Sequence, residues 1–318
     1  MATPASPGTH TDDAAHTDHA AHIDHTAETE HAAHIDHAAH TDHAAHIDHT
    51  AETEHAAHID HAADIRDVYV PASARAAVER LRADHETHVW WWRLREAVDP
   101  ADYALLDEVE RGRARRFHAA RDAAAFTATR AGARRAVAAL LGLPAHSVRF
   151  GRRICPGCGD SEHGPPAVVR PPVPLAVSLS RTTGCGVLAV RAGDWVGVDV
   201  EAYRPLGSDA LAETVLTAAE RRQLGAVAPG AAREEVFHRA WTRKEAVVKA
   251  VGLGLLGMPL NALDVAPGEA GPLTVGHVHE GRTTRWRVED IPLPGPWSAS
   301  LARPADAAPG EVRVHAPA

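Results

Sequence analysis

The chain has almost no lysine. Of its 318 residues, 33 are Lys or Arg, and only Lys244 and Lys249 are lysine. Arginine is planar and always charged, whereas lysine is a compact point charge whose pKa shifts readily on burial. Two lysines five residues apart, in a chain that otherwise uses arginine, indicate a site that requires an ammonium group. The alternative is a pair of ordinary solvated charges on a helix.

Other features that are missing exclude whole classes of protein. No run of 18 or more apolar residues exists, so a transmembrane helix and a membrane partner are not expected. The N-terminus lacks the basic and apolar regions of a secretory signal, which predicts a cytoplasmic protein. Three cysteines, Cys155, Cys158 and Cys185, are too few for a disulfide framework.

Negative charge is concentrated at the N-terminus. Residues 1–64 contain no Lys or Arg and 13 Asp or Glu, which leaves 29 acidic and 33 basic residues in 65–318. A mildly basic body favours anionic partners or phosphates. Its positive charge is too weak and too dispersed to predict a nucleic-acid partner.

The same N-terminal region is a histidine repeat. From His16 to His61, histidine recurs at every third position except at Glu28 and Glu52. A period of three fits neither helix nor strand, and too few large apolar residues are present to offset the chain entropy. We predict that residues 1–64 are disordered. The repeat either binds Zn²⁺ or Ni²⁺ or is an expansion with incidental metal affinity.

The remaining residues alternate between helical and strand patterns in two similar rounds. This pattern predicts an α+β fold of two similar small subdomains that form one body as a pseudo-dimer. We place the first subdomain at 65–190 and the second, with a metal site, at 191–304, followed by a flexible tail at 305–318. One helix is expected from Asp99 to about Phe117, and a Gly/Pro-rich loop at 155–174. Because one chain supplies both halves, a monomer is expected.

Two carboxylates stand on one strand in Gly197–Glu201. Alternation places Asp199 and Glu201 on one face, with Val198 and Val200 on the other, in the core. Two close carboxylates repel unless a cation or a base lies between them, and a hard cation such as Mg²⁺ takes oxygen ligands. The alternative is a strand end that pairs with an arginine such as Arg204.

The lysine segment adds the other groups of such a site. Glu245 and Lys249 are four residues apart on a predicted helix, so they share a face. Glu245 could complete the metal site or accept a proton, and Lys249 could neutralise an anionic oxygen. Trp241 lies one turn before Glu245 and anchors this helix.

These two segments, Gly197-Val-Asp-Val-Glu201 and Trp241-Thr-Arg-Lys-Glu-Ala-Val-Val-Lys249, are separated by 39 residues. Together they resemble the signature of the Sfp-type 4′-phosphopantetheinyl transferases, and the similarity extends over most of 86–303. The resemblance implies transfer of the phosphopantetheine arm of coenzyme A to a serine of an acyl or peptidyl carrier protein. Mg²⁺ would be the cofactor, coenzyme A the co-substrate and the carrier protein a transient partner.

The resemblance also implies roles for individual residues. Mg²⁺ would be held by Asp199, Glu201 and Glu245, with Glu245 as the general base and Lys249 at the leaving phosphate. The residues implied in coenzyme A binding are Arg116, Arg134, Ser180, Arg181 and Lys244.

Three positions depart from the family pattern. Pro165 replaces the basic residue of a Gly-Lys-Pro motif. Leu253, in Gly252-Leu-Gly-Leu, replaces a lysine that the family often has at that position. Arg181 stands in place of a histidine, and its guanidinium can bind a phosphate through two hydrogen bonds. Arg181 could therefore offset the other two changes.

Cys155-Pro-Gly-Cys158 followed by His163 has the spacing of a zinc knuckle. Structural zinc takes four ligands, and Cys185 is a possible fourth. The alternative is a reduced loop with two thiols.

Two other functions compete with the transferase. The chain could be a metal-binding or storage protein that works through its histidine repeat, or an inactive relative that binds carrier proteins as a module. The complete set of three carboxylates argues against the second of these.

Overall fold

The structure, a computed structural model, describes residues 69–160, 164–206, 209–254, 258–279, 282–305 and 310–316. These residues all belong to one compact unit. The predicted disordered segment 1–64 lies outside them. None of the described helices is both long and apolar enough to span a bilayer.

The first described helix is α1 (Ala72–Ala83). Its buried residues Ala74, Ala77, Val78 and Leu81 recur at helical spacing. They pack against α4 (Ala120–Leu141), which ends at Gly142 in the left-handed conformation with φ 67°. Glycine tolerates that conformation because it has no Cβ.

Two short helices, α2 (Pro100–Leu105) and α3 (Glu108–Arg115), lie between the first strand, β1 (Thr87–Arg93), and α4. The prediction of one helix from Asp99 to Phe117 was therefore wrong. Leu106 has an extended backbone, with ψ 142°, and Asp107 starts a new helix with a capping box that includes Glu110. A capping box satisfies backbone N–H groups at a helix start, so it marks a boundary inside what looked like one helix.

The first sheet has the strand order β10-β1-β5-β4-β3-β2. Its members are β1 (Thr87–Arg93), β2 (Arg149–Arg152), β3 (Pro166–Arg170), β4 (Leu175–Thr182), β5 (Cys185–Ala192) and β10 (Val312–His315). Two expectations fail here. The predicted loop 155–174 contains β3, and the predicted flexible tail contains β10, which pairs in parallel with β1.

The second sheet is antiparallel, in the order β6-β9-β8-β7. Its strands are β6 (Gly197–Ala202), β7 (Leu273–His279), β8 (Arg282–Asp290) and β9 (Trp297–Pro304). Between β6 and β7, the described part of the chain forms the helices α5 (Asp209–Val215), α6 (Ala218–Gly225) and α7 (Ala231–Val251). The sequence Thr217-Ala-Ala-Glu220 predicts a capping box at a helix start, and the structure confirms it at the start of α6. The mixed α+β class is also confirmed.

A hydrophobic core joins the two sheets. Val89 and Val187 from the first sheet pack with Val198, Val200 and Leu301 from the second. Trp91 is part of this core, whereas its neighbours Trp90 and Trp92 pack on the core under α1 and α4. The alternation along β1 thus divides the three consecutive tryptophans between two cores. This packing brings β6 next to β4, where the candidate site lies.

Candidate active site

Strand β6 places two carboxylates side by side. Asp199 and Glu201 are 1% and 5% exposed, and Val198 and Val200 on the other face are fully buried. The predicted alternation is confirmed. On β9, the residues opposite the two acids are Ser300 and Ser298. Neither is a cation, so β9 supplies no positive charge to balance the two carboxylates.

Helix α7 lies directly against β6 because Gly197 has no side chain. A Cβ at Gly197 would stand 1.8 Å from the backbone oxygen of Ala246. Such a distance is far below van der Waals contact, so any larger residue would push the helix and the strand apart. This close approach brings the Glu245 and Lys249 side chains to the carboxylates of β6.

Lys249 makes direct contact with the acidic strand. Its Nζ donates to Oδ1 of Asp199 at 2.7 Å and to Oγ of Ser180 at 3.0 Å. The Ser180 hydroxyl in turn donates to the same Asp199 oxygen at 2.8 Å. The structure therefore brings together three of the predicted site residues, one from each of α7, β4 and β6.

A row of hydroxyls on β4 contacts β6. Ser178 accepts from the Val198 N–H at 3.0 Å, and Thr182 donates to Oε2 of Glu201 at 3.2 Å. Thr182 was not among the site residues predicted from the sequence. The sequence nevertheless contains a pattern that could have identified it. Hydroxyl side chains occupy positions 178, 180 and 182, every second residue of one strand, and therefore share one face.

The cluster carries too much negative charge for the cation present. Burial, followed by the nearby Asp199 carboxylate, raises the pKa of both Glu201 and Glu245 to about 8. Burial disfavours the ammonium of Lys249, but the carboxylates of Asp199 and Glu245 outweigh it and raise the pKa of this lysine. The Lys249 ammonium and, for Glu201, the Arg204 guanidinium act against burial and three acids but do not outweigh them, a deficit that a bound cation would relieve.

Two oxygens of the cluster support this interpretation. Oδ2 of Asp199 and Oε1 of Glu245 are buried and have no hydrogen-bond partner. Buried polar atoms are nearly always paired, so such a pair of orphaned acceptors points to a ligand. The oxygen donor set suits Mg²⁺. As placed, no three His, Cys, Asp or Glu side chains in the described ranges are close enough to hold a metal ion. Binding would therefore require small side-chain shifts.

Lys244 does not fit its predicted role in coenzyme A binding. Its side chain is fully buried, and its ammonium group donates to Oε2 of Glu220 and to the backbone oxygens of Leu260 and Leu263. An ammonium group has three protons, and all three are used. Lys244 is therefore a structural residue that ties α6 and the segment after α7 to the helix.

Arg134 is corrected for the same reason. It is 1% exposed, and its guanidinium donates to Glu110 at 3.0 Å and to Asp107 at 3.1 Å. Those two acids form the capping box of α3. Arg134 thus stabilises the start of α3 and cannot reach a phosphate in this arrangement.

The other two arginines predicted to bind coenzyme A, Arg116 and Arg181, lie in different surroundings. Arg116 is exposed at the C-terminal end of α3. Arg181 is 7% exposed, and its guanidinium lies 5.8 Å from the ring centres of both Phe117 and Phe126. Planar guanidinium groups stack well on aromatic faces. Arg181 follows Ser180 on β4, so alternation turns its side chain to the opposite face of the strand, towards Phe117 and α4 and away from Ser180 and Asp199.

Two of the three departures from the family pattern, Pro165 and Leu253, lie close to the end of α7. Gly252 ends the helix with φ 80°, and a Cβ there would stand 2.7 Å from Cγ of Pro165. Leu253 packs close to Gly157 of the cysteine loop. Apolar contacts therefore stand where the family pattern has basic residues, three to four positions beyond Lys249.

The predicted zinc site is not supported. His163 lies outside the described residues, and no metal-holding group of Cys, His, Asp or Glu occurs among the described ones. Burial raises the pKa of the Cys185 thiol to about 12, which disfavours the thiolate that zinc requires.

The chain is similar to known transferases. Residues 195–302 match the model of the 4′-phosphopantetheinyl transferase superfamily. The L-aminoadipate-semialdehyde dehydrogenase-phosphopantetheinyl transferase of Eremothecium gossypii is 36% identical over 201 residues, 59% of this chain and 69% of that protein.

A second relative is the 4′-phosphopantetheinyl transferase HetI of Nostoc sp., 29% identical over 175 residues, 54% of this chain and 69% of that protein. The 4′-phosphopantetheinyl transferase AcpT of Escherichia coli is 38% identical over 92 residues, 29% of this chain and 46% of that protein. The matched region 195–302 contains β6 and α7, which carry the acids and Lys249. The chain belongs to the 4′-phosphopantetheinyl transferase superfamily and is a transferase.

Proposed function

We propose that the chain transfers the 4′-phosphopantetheine arm of coenzyme A to a serine of an acyl or peptidyl carrier protein, in a reaction that depends on Mg²⁺. The observation that carries this proposal is the buried cluster of Asp199, Glu201 and Glu245 with Lys249 at its edge. Membership in the family supports the substrate class, and the named activities of the relatives support the reaction.

The reaction exchanges one phosphorus–oxygen bond for another. The carrier serine oxygen bonds to the phosphorus nearest the pantetheine, and the bond from that phosphorus to adenosine 3′,5′-bisphosphate breaks. The serine proton passes to a base, and the leaving phosphate takes up the negative charge. Enzymes accelerate such transfers chiefly by positioning the groups and neutralising charge.

Each member of the cluster has a place in this scheme. Asp199, Glu201 and Glu245 would hold Mg²⁺, which would neutralise charge on the pyrophosphate when bound. Glu245 would accept the serine proton directly or through a water, and a base is most effective when its pKa is near the working pH. Without a metal, burial and the neighbouring carboxylates raise the pKa of Glu245 to about 8, and the carboxylate form that accepts the proton would be favoured by bound Mg²⁺.

Lys249 would stabilise the charge that develops on the leaving phosphate. Its side chain is 20% exposed, whereas that of its partner Asp199 is 1% exposed. Lys249 is therefore the most exposed member of a buried acidic cluster, on the side from which we expect an anionic substrate to approach. Preorganised charge at such a position is a large contribution to catalysis.

The remaining contacts to coenzyme A are assigned to Ser180, Arg181 and Arg116. The Arg181 guanidinium is held against two aromatic rings on the face of β4 opposite to Ser180, and a guanidinium can bind a phosphate through two hydrogen bonds. Arg116 is exposed at the C-terminal end of α3. The acidic carrier protein would meet Arg221 and Arg222, which are both exposed on α6.

The test is a mass measurement on carrier proteins. Incubation with coenzyme A, Mg²⁺ and a panel of apo carriers should add the phosphopantetheine mass to at least one carrier serine. Asp199→Ala should abolish the addition. If no carrier gains mass and coenzyme A does not bind, the proposal is wrong.

The same assay separates the metal-storage function. Deleting residues 1–64 should leave the transfer rate unchanged if the described body is the enzyme. If metal binding at the histidine repeat were the main function, the truncated chain would bind neither coenzyme A nor a carrier.

A further inference from the structure

The loop between β2 and β3 carries a second group of reactive side chains, which the proposed function does not use. Its sequence Cys155-Pro-Gly-Cys158 places two thiols three residues apart. Both cysteines are reduced, with Cys155 buried at 6% exposure and Cys158 exposed. The two sulfurs contact each other, because the Cys158 thiol hydrogen-bonds to the sulfur of Cys155.

The loop is held firmly at its base. The Arg153 N–H donates to the Pro165 oxygen at 2.8 Å, and the Arg152 guanidinium donates to the Gly164 oxygen at 3.1 Å. A Cβ at Gly164 would lie 1.7 Å from the backbone oxygen of Arg153, so the two arms of the loop are in close contact. The tip therefore projects from a fixed stem.

The tip is a closed turn. The Cys155 N–H donates to the Asp160 oxygen at 2.7 Å, and the Gly159 N–H donates to the Cys155 oxygen at 2.9 Å. Gly159 has φ 77°, which glycine adopts without strain. The turn thus brings the ends of the motif together before any covalent bond exists, so a bond between the sulfurs needs little movement of the backbone.

The environment of the buried thiol favours its thiolate. Burial disfavours the charge, but the N–H groups of Gly157 and Cys158 and the Cys158 thiol donate to the sulfur. Together they hold the pKa of Cys155 below its usual value. Backbone donors in a Cys-X-X-Cys turn are a known means of activating one of the two sulfurs.

We propose that Cys155 and Cys158 form a reversible disulfide, which makes the loop a dithiol site that reacts with low-molecular-weight disulfides. The exposed Cys158 thiolate attacks one sulfur of the small disulfide and releases one thiolate. The Cys155 thiolate then attacks the Cys158 sulfur and releases the second. Two electrons pass from the protein to the small disulfide, and the two cysteine protons go to the released thiolates.

The site adjoins the catalytic helix. A Cβ at Gly157 would lie 3.0 Å from Cδ2 of Leu253, and one at Gly252 would lie 3.4 Å from Cγ of Pro156. The tip of the loop therefore packs on the two residues that follow α7. The proposal stands on this loop alone and does not depend on the proposed transferase mechanism.

The chain contains its own reference thiol. Cys185 is completely buried in β5, and burial raises its pKa to about 12. A thiol with so little thiolate reacts slowly with disulfides. Cys185 should therefore stay reduced under conditions that oxidise the other two.

The test uses the full chain in EDTA, equilibrated in buffers of increasing oxidised-to-reduced glutathione ratio. Samples are quenched with acid, alkylated under denaturing conditions and weighed intact. We expect two alkylation sites to disappear together with a single midpoint, one site to remain, and a peptide map that links Cys155 to Cys158. Three alkylated thiols at every ratio would overturn the proposal, and so would a stable glutathione adduct on Cys158 in the unaltered chain.

Variants separate the two steps. Cys155→Ser should stop at the glutathione adduct on Cys158, and Cys158→Ser should leave Cys155 unmodified over the same period. Cys185→Ser should oxidise as the unaltered chain does. Because the peptide map of the unaltered chain decides the result by itself, a variant that folds poorly does not weaken the test.

Discussion

Helix α7 carries both lysines of the chain, and each contacts a buried carboxylate in a different region. Around Lys244, the carboxylate of Glu220 accepts from the ammonium group and from the Thr217 and Val265 N–H groups, and nothing is exposed. Around Lys249, two carboxylate oxygens have no partner, and a fifth of the lysine side chain is exposed. The first region is complete without a ligand, whereas the second lacks positive charge. Burial of a charge thus does not identify a functional residue, but incomplete pairing of a buried charge does.

The largest expected effect is on turnover, and Glu245→Gln tests it. This change removes the proposed base and one metal ligand while it keeps the side-chain shape, so turnover should fall about 10²- to 10⁴-fold. The Tm in Mg²⁺-free buffer should not fall, because the Lys249 hydrogen bonds go to Asp199 and Ser180 rather than to Glu245. Steady-state transfer and thermal unfolding are the two measurements. A variant with full activity would contradict the role of Glu245.

The second comparison replaces each lysine by methionine. Lys244→Met leaves Glu220 as a buried charge without a cation, which should cost about 3–5 kcal/mol of unfolding free energy. Lys249→Met should also lower the unfolding free energy. Mg²⁺ at millimolar concentration should restore most of the stability that Lys249→Met loses and none of the stability that Lys244→Met loses. Denaturant unfolding with and without Mg²⁺ measures both. Equal rescue of the two variants would remove the distinction between the regions.

Lys249→Arg has a smaller expected effect. The charge remains, but a planar guanidinium cannot place a point charge where the ammonium lies. We expect turnover to fall about 10- to 100-fold, with little change in Tm, since one factor of ten corresponds to about 1.4 kcal/mol of activation free energy. Full activity would show that the site does not need lysine.

A matched control for that variant is Arg243→Lys. The Arg243 guanidinium is completely buried, and its donors reach Asp290 and three backbone oxygens. Lysine cannot replace so many donors, so this variant should lose stability. Its rate per folded molecule should stay close to that of the unaltered chain.

The smallest effect concerns pH. Glu201 and Glu245 have a pKa of about 8 in the folded chain, above the usual value of 4.5. Between pH 6.5 and 8 the folded state therefore binds more protons than the unfolded state, and stability falls as pH rises. In Mg²⁺-free buffer we expect each of the two groups to contribute a loss of about 1–2 kcal/mol over this range. Mg²⁺ should reduce the loss, and a Tm that rises with pH would contradict the raised pKa values.

At the lower limit of that range, two histidines act in the opposite direction. Burial lowers the pKa of His238 and His315, so these two groups destabilise the fold only when the pH falls towards 6.5 and below. Glu201→Gln, measured beside the unaltered chain, should reduce the pH dependence and so identify its source.

Predictions from the sequence were correct where a structural feature depends only on residues close together in the chain. Alternation placed Asp199 and Glu201 on one face, and the Thr217 and Glu220 pair marked a real helix start. The same reasoning failed for Arg134 and Lys244, because a positive side chain near a motif gives no sign of the acid that will pair with it. It also failed for β10, since a strand at an edge depends on a partner more than 200 residues away.

The sequence by itself determined the family, the α+β class and the carboxylate and lysine set, because these depend on residue types at fixed spacings along a strand and a helix. The sequence also placed Lys249 on one face with Glu245, but tertiary structure alone decided that Lys244 is a buried structural residue. Both lysines are on one helix, and the close contact of that helix with Gly197 on β6 places Lys249 at the unsatisfied acids. The fold of α6 and of the segment after α7 surrounds Lys244 with acceptors. The physical reason is that a charge takes its role from the partners that packing brings to it, and those partners are distant in the chain.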